Sequence, residues 1–300
     1  MRDGGEAPLG YPTSFEEIAE WGRGNRVPPS EARRRFAQYA ILRAIARSNL
    51  LRELLVFKGG NALDFVWSQN RSTLDLDFSA DMAHLQGQGP VEAVLKDQLS
   101  RALVVAGREL GIAMTVHGVK RQPPGEGKTF VTLTVRIGYA LPDDPRNRTR
   151  LEAGQPSINV VPIEVSLNEP ICADERLSLG GVGRALRVST LEDIVAEKLR
   201  AWLQQKPRNR HRPQDLLDVA YILRGDPPLD RTRVSRFLLA KAEARQVPVS
   251  KAAFRDEELA ARARNDYHTL EDTVRGEFIP YEEALDRLYR FVDELEIPEE

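Results

Sequence analysis

The sequence has little of what several large classes of protein require. Cys172 is its single cysteine among 300 residues, so the chain forms no internal disulfide and no zinc site made of cysteines. No apolar run approaches the roughly 18 residues of a membrane span. The four histidines are scattered, without the spacing typical of zinc ligands or of a Cys–His nucleophile. These absences predict a cytoplasmic protein with no membrane partner.

Charge of neither sign dominates. The chain carries 43 Lys and Arg residues against 45 Asp and Glu residues, which gives a net charge of -2. This balance excludes a globally basic nucleic-acid-binding protein but leaves room for a local basic patch. Hydrophobic residues make up 41% of the chain and charged residues 29%, which is typical of a globular protein. At roughly 150 residues per domain, the length predicts about two domains.

The apolar pattern changes along the chain and predicts three regions. Glycines and prolines predict an irregular arm at residues 1–29. Short apolar or alternating runs predict a mixed sheet with helices over residues 30–180, and helical periodicity predominates over residues 181–300. The fold class is therefore α+β, a mixed α/β domain followed by a helical domain. Strands are predicted at Ile112–Val119, Thr129–Tyr139 and Ile158–Leu167, and a polar loop at Pro142–Gln155.

The alternating segment Leu74–Phe78 contains two acids, Asp75 and Asp77. Because side chains of a strand alternate between its faces, both carboxylates are predicted to share one face, while Leu74 points into the core. Neighbouring carboxylates repel each other unless water or a divalent cation lies between them. The pair indicates either a Mg²⁺ site that takes substrate phosphates or the solvated face of an edge strand.

A glycine turn precedes the acidic pair. Leu54–Phe57 is typical of a buried strand, Gly59–Gly60 of a tight turn and Asn61–Val66 of a short helix. Glycines at such a turn let backbone N–H groups approach phosphate closely, and a helix N-terminus favours an anion. Since Lys58 and Arg71 are basic and lie nearby in sequence, the segment predicts a phosphate-binding turn beside a metal site.

Two later segments carry charges that need partners. Glu164 lies in the predicted strand Ile158–Leu167, where its carboxylate would pair with a metal or, at a sheet edge, with an arginine. Glu169, at the end of that strand, fits a turn. A capping box at Ser189–Glu192 begins a helix on which Lys198 projects near the apolar stripe. This lysine either reaches a carboxylate or phosphate, or extends to solvent.

A loop without acids follows that helix as far as Gln214. Its basic side chains suit a triphosphate or an RNA backbone, although each of them alone is equally typical of solvated surface. They are Lys206, Arg208, Arg210 and Arg212. Pro213 is well placed to begin the next helix, where Asp215 is a favourable charge at the N-terminus.

Together these blocks resemble the AbiEii/AbiGii-type nucleotidyltransferase toxin family. This family includes the MenT toxins and belongs to the polymerase-β-like nucleotidyltransferase superfamily. Phe57–Leu63 and Arg71–Phe78 are similar to the family's K-G-G-x-A-L and R-x-[ST]-x-D-[LI]-D-[FL] segments. Leu191–Lys198 and Arg212–Asp218 are similar to its L-E-D-[IL]-[IVL]-A-x-K and R-x-K-D-x-x-D segments. The resemblance covers roughly residues 54–224.

The resemblance implies a polymerase-β-like nucleotidyltransferase domain whose active site is completed by the helical domain. The implied metal ligands are Asp75, Asp77 and Glu164, and Lys198 and Asp215 join them as catalytic residues. The implied nucleotide-binding residues are Lys58, Gly59, Gly60, Asn61, Arg71 and Lys198, and the basic loop would bind RNA. The chain departs from the family at Asn61, where Thr or Ser is common, and at Gln214, where Lys is common.

The implied reaction is transfer of NMP from an NTP to RNA, such as the tRNA 3′ end, with Mg²⁺ or Mn²⁺. The protein would be a toxin with a cognate antitoxin. A small-molecule nucleotidyltransferase would use the same core and stays an alternative, as does a non-catalytic RNA-binding module, which has no use for three carboxylates on strands. A glycosyltransferase with an Asp-x-Asp motif explains neither the glycine turn nor Lys198.

Overall fold

The strands form one mixed sheet. The computed structural model describes residues 10–69, 71–125, 127–180 and 184–300. The strands in these ranges are β1 (Leu55–Lys58), β2 (Leu76–Ala80), β3 (Ala113–Gln122), β4 (Val131–Ala140), β5 (Val160–Leu167), β6 (Asp174–Ser178) and β7 (Ala185–Ser189). Their order across the sheet is β3-β4-β5-β2-β1-β7-β6. The β1–β7 and β2–β5 pairs are parallel, and the other pairs are antiparallel.

Helices precede, interrupt and follow the strands. In the same ranges they are α1 (Ile18–Asn25), α2 (Pro29–Arg47), α3 (Asn49–Leu54), α4 (Gly59–Ala62), α5 (Val91–Leu110), α6 (Pro145–Glu152), α7 (Leu191–Leu203), α8 (Pro213–Arg224), α9 (Arg231–Ala244), α10 (Lys251–Phe254), α11 (Glu257–Arg264) and α12 (Tyr281–Asp293). A π-helical turn, Leu63–Trp67, continues α4, and 3₁₀ helices occur at Met82–Leu85 and Tyr267–Thr273. Among the described helices, none has the length and apolar character needed to cross a membrane.

The burial of β5 shows how the sheet positions a site. Buried and partly exposed residues alternate strictly along this strand. The buried ones are Val161, Ile163, Val165 and Leu167. Helices α2 and α5 contact the sheet and each other, and their apolar residues belong to the same core. A sheet with one buried face leaves its other face available as the floor of a groove.

The predicted α+β class is confirmed, and most predicted elements of the first 180 residues occur. The predicted strands at 112–119, 129–139 and 158–167 correspond to β3, β4 and β5. Helix α7 begins where the capping box predicts, although the capping side chain is that of Thr190, which accepts a hydrogen bond from the Asp193 backbone N–H. The predicted loop at 142–155 is wrong in part, because Asp144 caps α6 and Pro145 occupies its first turn.

The prediction of an irregular arm at residues 1–29 is also wrong in part. Helix α1 forms within it, and Ile18 and Trp21 of this helix are buried in the core. Their i, i+3 spacing is a helical signal that the surrounding prolines and glycines obscure. The first nine residues of the predicted arm lie outside the described residues.

The sheet continues past the predicted boundary at residue 180. Strand β7 lies beyond it and pairs with β1, with Val56 opposite Arg187. Strand β6 pairs with β7 at the edge of the sheet and carries mostly exposed or partly exposed side chains. A short polar edge strand such as β6 lacks an apolar pattern, and the sequence does not predict it. Strand β7 is also not predicted, although its Leu186 and Val188 are buried. Residues 181–183 lie outside the described ranges, and the division into two domains stays a prediction.

The packing of β1 on β2 leads to a prediction about stability. Phe57 and Phe78 are fully buried, and their ring centroids are 5.3 Å apart. Phe57→Ala should lower the free energy of unfolding by about 3–5 kcal/mol, because it leaves a cavity in the core. Leu74→Ala should change that free energy by less than about 0.5 kcal/mol, since Leu74 is 61% exposed. Urea unfolding measures both values, and equal losses would contradict this account of the core.

Candidate active site

The structure brings the three predicted acids together. Asp77 on β2 lies directly opposite Glu164 on β5 in the parallel register, and Asp75 lies one residue before β2. One carboxylate oxygen of each residue lies within 4.8 Å of those of the other two. The prediction that Leu74 points into the core is wrong. It is 61% exposed, because the regular strand begins only at Leu76.

Negative charge is concentrated at this cluster. Burial and the neighbouring Asp75 raise the pKa of Asp77 to about 8. Burial and Asp75 also raise the pKa of Glu164 above its ordinary value. A divalent cation would relieve this repulsion, and three carboxylate oxygens are the donors that hard cations such as Mg²⁺ prefer. The donor set therefore fits a divalent metal.

The glycine turn packs directly against the acidic pair. Gly59 has φ +73°, and a Cβ atom added there would overlap the Asp77 carboxylate. A Cβ atom at Gly60 would lie 2.7 Å from Cγ2 of Thr73. Glycine is thus required here both by the left-handed backbone and by the close approach of the loop that carries the acids. The turn lies beside the acids, as the sequence predicts.

Asn61 forms a hydrogen bond to the loop that carries Asp75. It is fully buried, and its Oδ1 accepts a hydrogen bond from Arg35 at 2.7 Å. Its Nδ2 donates to the backbone carbonyl of Asp75. Both side-chain groups are thereby directed at the protein, because Asn61 lies in the first turn of α4 and faces the start of β2. This geometry explains how an amide can occupy a position where a hydroxyl residue is common.

Lys58 lies opposite Asp77 in the β1–β2 register and is buried in an ionic network. Its Nζ lies 2.5 Å from Glu169 and 3.1 Å from Glu197. Burial opposes the lysine charge, but Glu197 and Glu169 raise the pKa of Lys58 above its ordinary value. Glu169 is therefore a buried ionic residue and not the turn residue that the sequence suggests.

A second network joins α7, α8 and the loop before β2. The Lys198 Nζ donates to Asp215 at 3.0 Å and to Asp218 at 2.7 Å. Arg71 donates two hydrogen bonds to the same Asp218 carboxylate, from Nε at 2.6 Å and from Nη2 at 2.8 Å. The prediction did not include Asp218, although its i, i+3 spacing from Asp215 on α8 places both on one helix face.

A groove of about 690 Å³ is lined by the three acids, the glycine turn, Lys58, Arg71, Lys198 and Asp215. Basic residues of the loop after α7 also contribute to this lining. The lining residues from that loop are Arg208, Arg210 and Arg212. Lys206 is directed elsewhere, with its Nζ 3.2 Å from Asp256 and 3.0 Å from Glu258. The predicted basic loop thus presents only part of its charge to the groove.

Comparison with known proteins assigns this arrangement to a family. The model of the nucleotidyl transferase AbiEii toxin family, a type IV toxin–antitoxin system, matches residues 40–289. The chain belongs to this AbiEii family. It is therefore a nucleotidyltransferase, and the predicted family and enzyme class are confirmed. Among curated proteins, none matches the chain significantly.

Two solved structures share the fold of this AbiEii protein. The nucleotidyltransferase toxin MenT4 of Mycobacterium tuberculosis is 19% identical, with a TM-score of 0.59 over 93% of this chain and 90% of MenT4. An H. pylori protein assigned as a nucleotidyltransferase is 15% identical, with a TM-score of 0.50 over 89% of this chain and 95% of its own. At these identities the likeness shows the fold alone.

The ion pairs of Asp218 generate a prediction about acid stability. Burial opposes its charge, but Arg71 and Lys198 lower the pKa of Asp218 to about 2. Ionised Asp218 therefore stabilises the fold above the ordinary aspartate pKa, by roughly 2 kcal/mol, and this contribution is lost as the pH falls from about 4 towards 2. Asp218→Asn should be less stable than the wild type at pH 7, and the difference should shrink below pH 4.

Urea unfolding of both proteins between pH 7 and pH 3 measures this difference. Asp97→Asn is the control, because Asp97 is exposed on α5, where it forms an ion pair with Arg101 one turn away and accepts a hydrogen bond from its neighbour Gln98. A difference between wild type and Asp218→Asn that stays constant down to pH 3 would contradict the assigned ion pairs.

Proposed function

We propose that the protein transfers NMP from an NTP to the 3′-hydroxyl of an RNA acceptor, with the 3′ end of tRNA as the favoured acceptor. The observation that carries this proposal is the meeting of three carboxylates and a glycine turn in a groove that three arginines of the loop after α7 also line. Such a groove suits two polyanions and a divalent cation at once.

Asp75, Asp77 and Glu164 would hold the metal, Mg²⁺ or Mn²⁺. When bound, such metal ions neutralise phosphate charge and make a hydroxyl more acidic. The raised pKa values of Asp77 and Glu164 reflect burial and repulsion between the acids, which a bound cation would relieve. Glu164, the acid on β5, would also accept the proton of the attacking hydroxyl.

The triphosphate would lie at the glycine turn. Because Gly59 and Gly60 have no side chains of their own, phosphate oxygens could approach their backbone N–H groups closely. Lys198 has three N–H donors, of which Asp215 and Asp218 take two. Among the described residues no further acceptor bonds to this ammonium group, so its third donor could bind a phosphate oxygen. Asp215 and Asp218 would thus position Lys198, while the same Asp218 fixes Arg71.

The transfer forms one P–O bond and breaks another. The hydroxyl oxygen of the acceptor forms a bond to the α-phosphorus, and the bond from that phosphorus to the bridging oxygen of the β-phosphate breaks. Pyrophosphate leaves with the electron pair, and the hydroxyl proton passes to Glu164. Lys198 and the glycine turn would stabilise the charge that develops on pyrophosphate.

The groove lining and the family membership indicate two partners, an RNA and an antitoxin. The groove-facing cations Arg208, Arg210 and Arg212 would contact the RNA, and Lys206 is left out because it pairs outside the groove. Membership of a type IV toxin–antitoxin family supports a cognate antitoxin as the protein partner. Growth arrest by modified RNA would then be the outcome in the cell.

The test is incorporation of each labelled NTP into total tRNA with Mg²⁺. Wild type should label tRNA, whereas Asp75→Asn, Asp77→Asn and Glu164→Gln should each lose at least ~100-fold in rate, because each loses a carboxylate of the metal site. Asp97→Asn, with its exposed carboxylate on α5, should keep the full rate. Thermal unfolding of each variant confirms that it is folded. Labelling by Asp77→Asn at the wild-type rate would reject the proposal.

A further inference from the structure

The groove has two chemically different ends along β5. Asp75 and the glycine turn lie at the end where β2 begins. Two residues further along β5 from Glu164, about 7 Å at the usual strand rise, Ser166 lies opposite Thr132 of β4 and both line the groove. Since the triphosphate is placed at the glycine turn, the floor beyond Glu164 faces the acceptor.

Two arginines are built into the wall of that far end. Arg200 of α7 and Arg245, directly after α9, both line the groove, and their Nη2 atoms lie 3.1 Å and 2.9 Å from Glu169. Their side chains are only 8% and 12% exposed. The guanidinium of Arg245 also lies 3.7 Å from the ring centroid of Phe130. These contacts hold both guanidinium groups in fixed positions.

Arg208 adds a further cation to the same end. It lines the groove, and among the described residues its guanidinium has no ion-pair partner within 4.0 Å. Partial burial against the groove and the charges of Arg245 and Arg200 lower the pKa of Arg208. Glu169 is shared by Lys58 and both wall arginines, so it cannot neutralise Arg208 as well. The far end of the groove therefore carries an excess of positive charge.

We propose that Arg208 and Arg245, with Arg200 behind them, bind the backbone phosphate that precedes the reacting 3′ nucleotide of the acceptor strand. This inference rests on the proposed function and assigns it an acceptor subsite. Guanidinium groups suit phosphate because their forked N–H donors match its oxygens. A phosphate at these arginines places the terminal sugar over Ser166 and Thr132, with its 3′-hydroxyl directed towards Glu164.

The subsite would also select among acceptor molecules. A neutral small molecule has no phosphate to satisfy the arginines, whereas every nucleic-acid 3′ end has one at a fixed distance from its hydroxyl. The triphosphate is held on the other side of the acids, so loss of Arg208 should weaken binding of the acceptor and leave NTP binding unchanged.

The test compares two fluorescent eight-nucleotide RNAs that differ only in their last internucleotide linkage. One has an ordinary phosphodiester, and the other a neutral methylphosphonate at that linkage. Binding is measured by fluorescence anisotropy with Mg²⁺ and without NTP. Wild type should bind the phosphodiester about tenfold more tightly, because the charge-assisted hydrogen bonds are lost with the charge.

Arg208→Ala should abolish this preference, and because Arg208 is exposed, the substitution should leave the fold intact. Lys206→Ala removes a charge from the same loop but outside the groove, and it should keep the preference. A wild type without the preference, or Arg208→Ala with the full preference, would overturn the subsite. Because no NTP is present, a wild type that transfers NMP but does not distinguish the two RNAs would overturn the subsite alone.

Discussion

The repulsion among Asp75, Asp77 and Glu164 is the constraint on which the rest of the site depends. Strand pairing holds their carboxylates within 4.8 Å of one another, at a cost that is visible in the raised pKa of Asp77. The positive charge of Lys58 offsets part of this repulsion, because Lys58 lies opposite Asp77 in the sheet. Ion pairs with Glu169 and Glu197 hold the Lys58 side chain in place. Arg200, Arg208 and Arg245 line the same groove as the acids.

Buried ion pairs connect the sheet to the helices that follow it. Asp218 binds both Arg71, from the loop before β2, and Lys198 on α7. Such groups lose hydration when they are buried, and only a network with several well-aligned hydrogen bonds offsets that loss. The arrangement therefore fixes the relative positions of α7, α8 and the loop that carries Asp75. Lys198 can be aimed at the groove because these partners restrain it.

The sequence predicts those parts of the site that depend on local pattern. Asp75 and Asp77 alternate within one short segment, Gly59–Gly60 ends a strand, and Glu164 interrupts an apolar run. Each has a nearby signal, and the structure brings them together. The α+β class follows from the same patterns and is confirmed.

The rest depends on contacts between distant parts of the chain. Lys58 and Glu169 are 111 positions apart, and Arg71 and Asp218 are 147 apart. No local pattern distinguishes Glu169 from a turn residue, or Arg245 from a surface arginine. The sequence does not predict strand β6, because a strand at the edge of a sheet can carry polar side chains and so lacks an apolar pattern. Asn61 has a fitting side chain for phosphate, but burial directs it to the backbone of Asp75.

Binding of Mn²⁺, followed by electron paramagnetic resonance with and without a non-hydrolysable NTP analogue, tests the central claim most directly. Since the account makes the three carboxylates and the triphosphate common ligands of the metal, wild type should bind Mn²⁺ more tightly when the analogue is present. Asp77→Asn should lose this enhancement, and its thermal unfolding transition checks that it is folded. Equal Mn²⁺ binding by wild type and Asp77→Asn, with no effect of the analogue on either, would contradict the account.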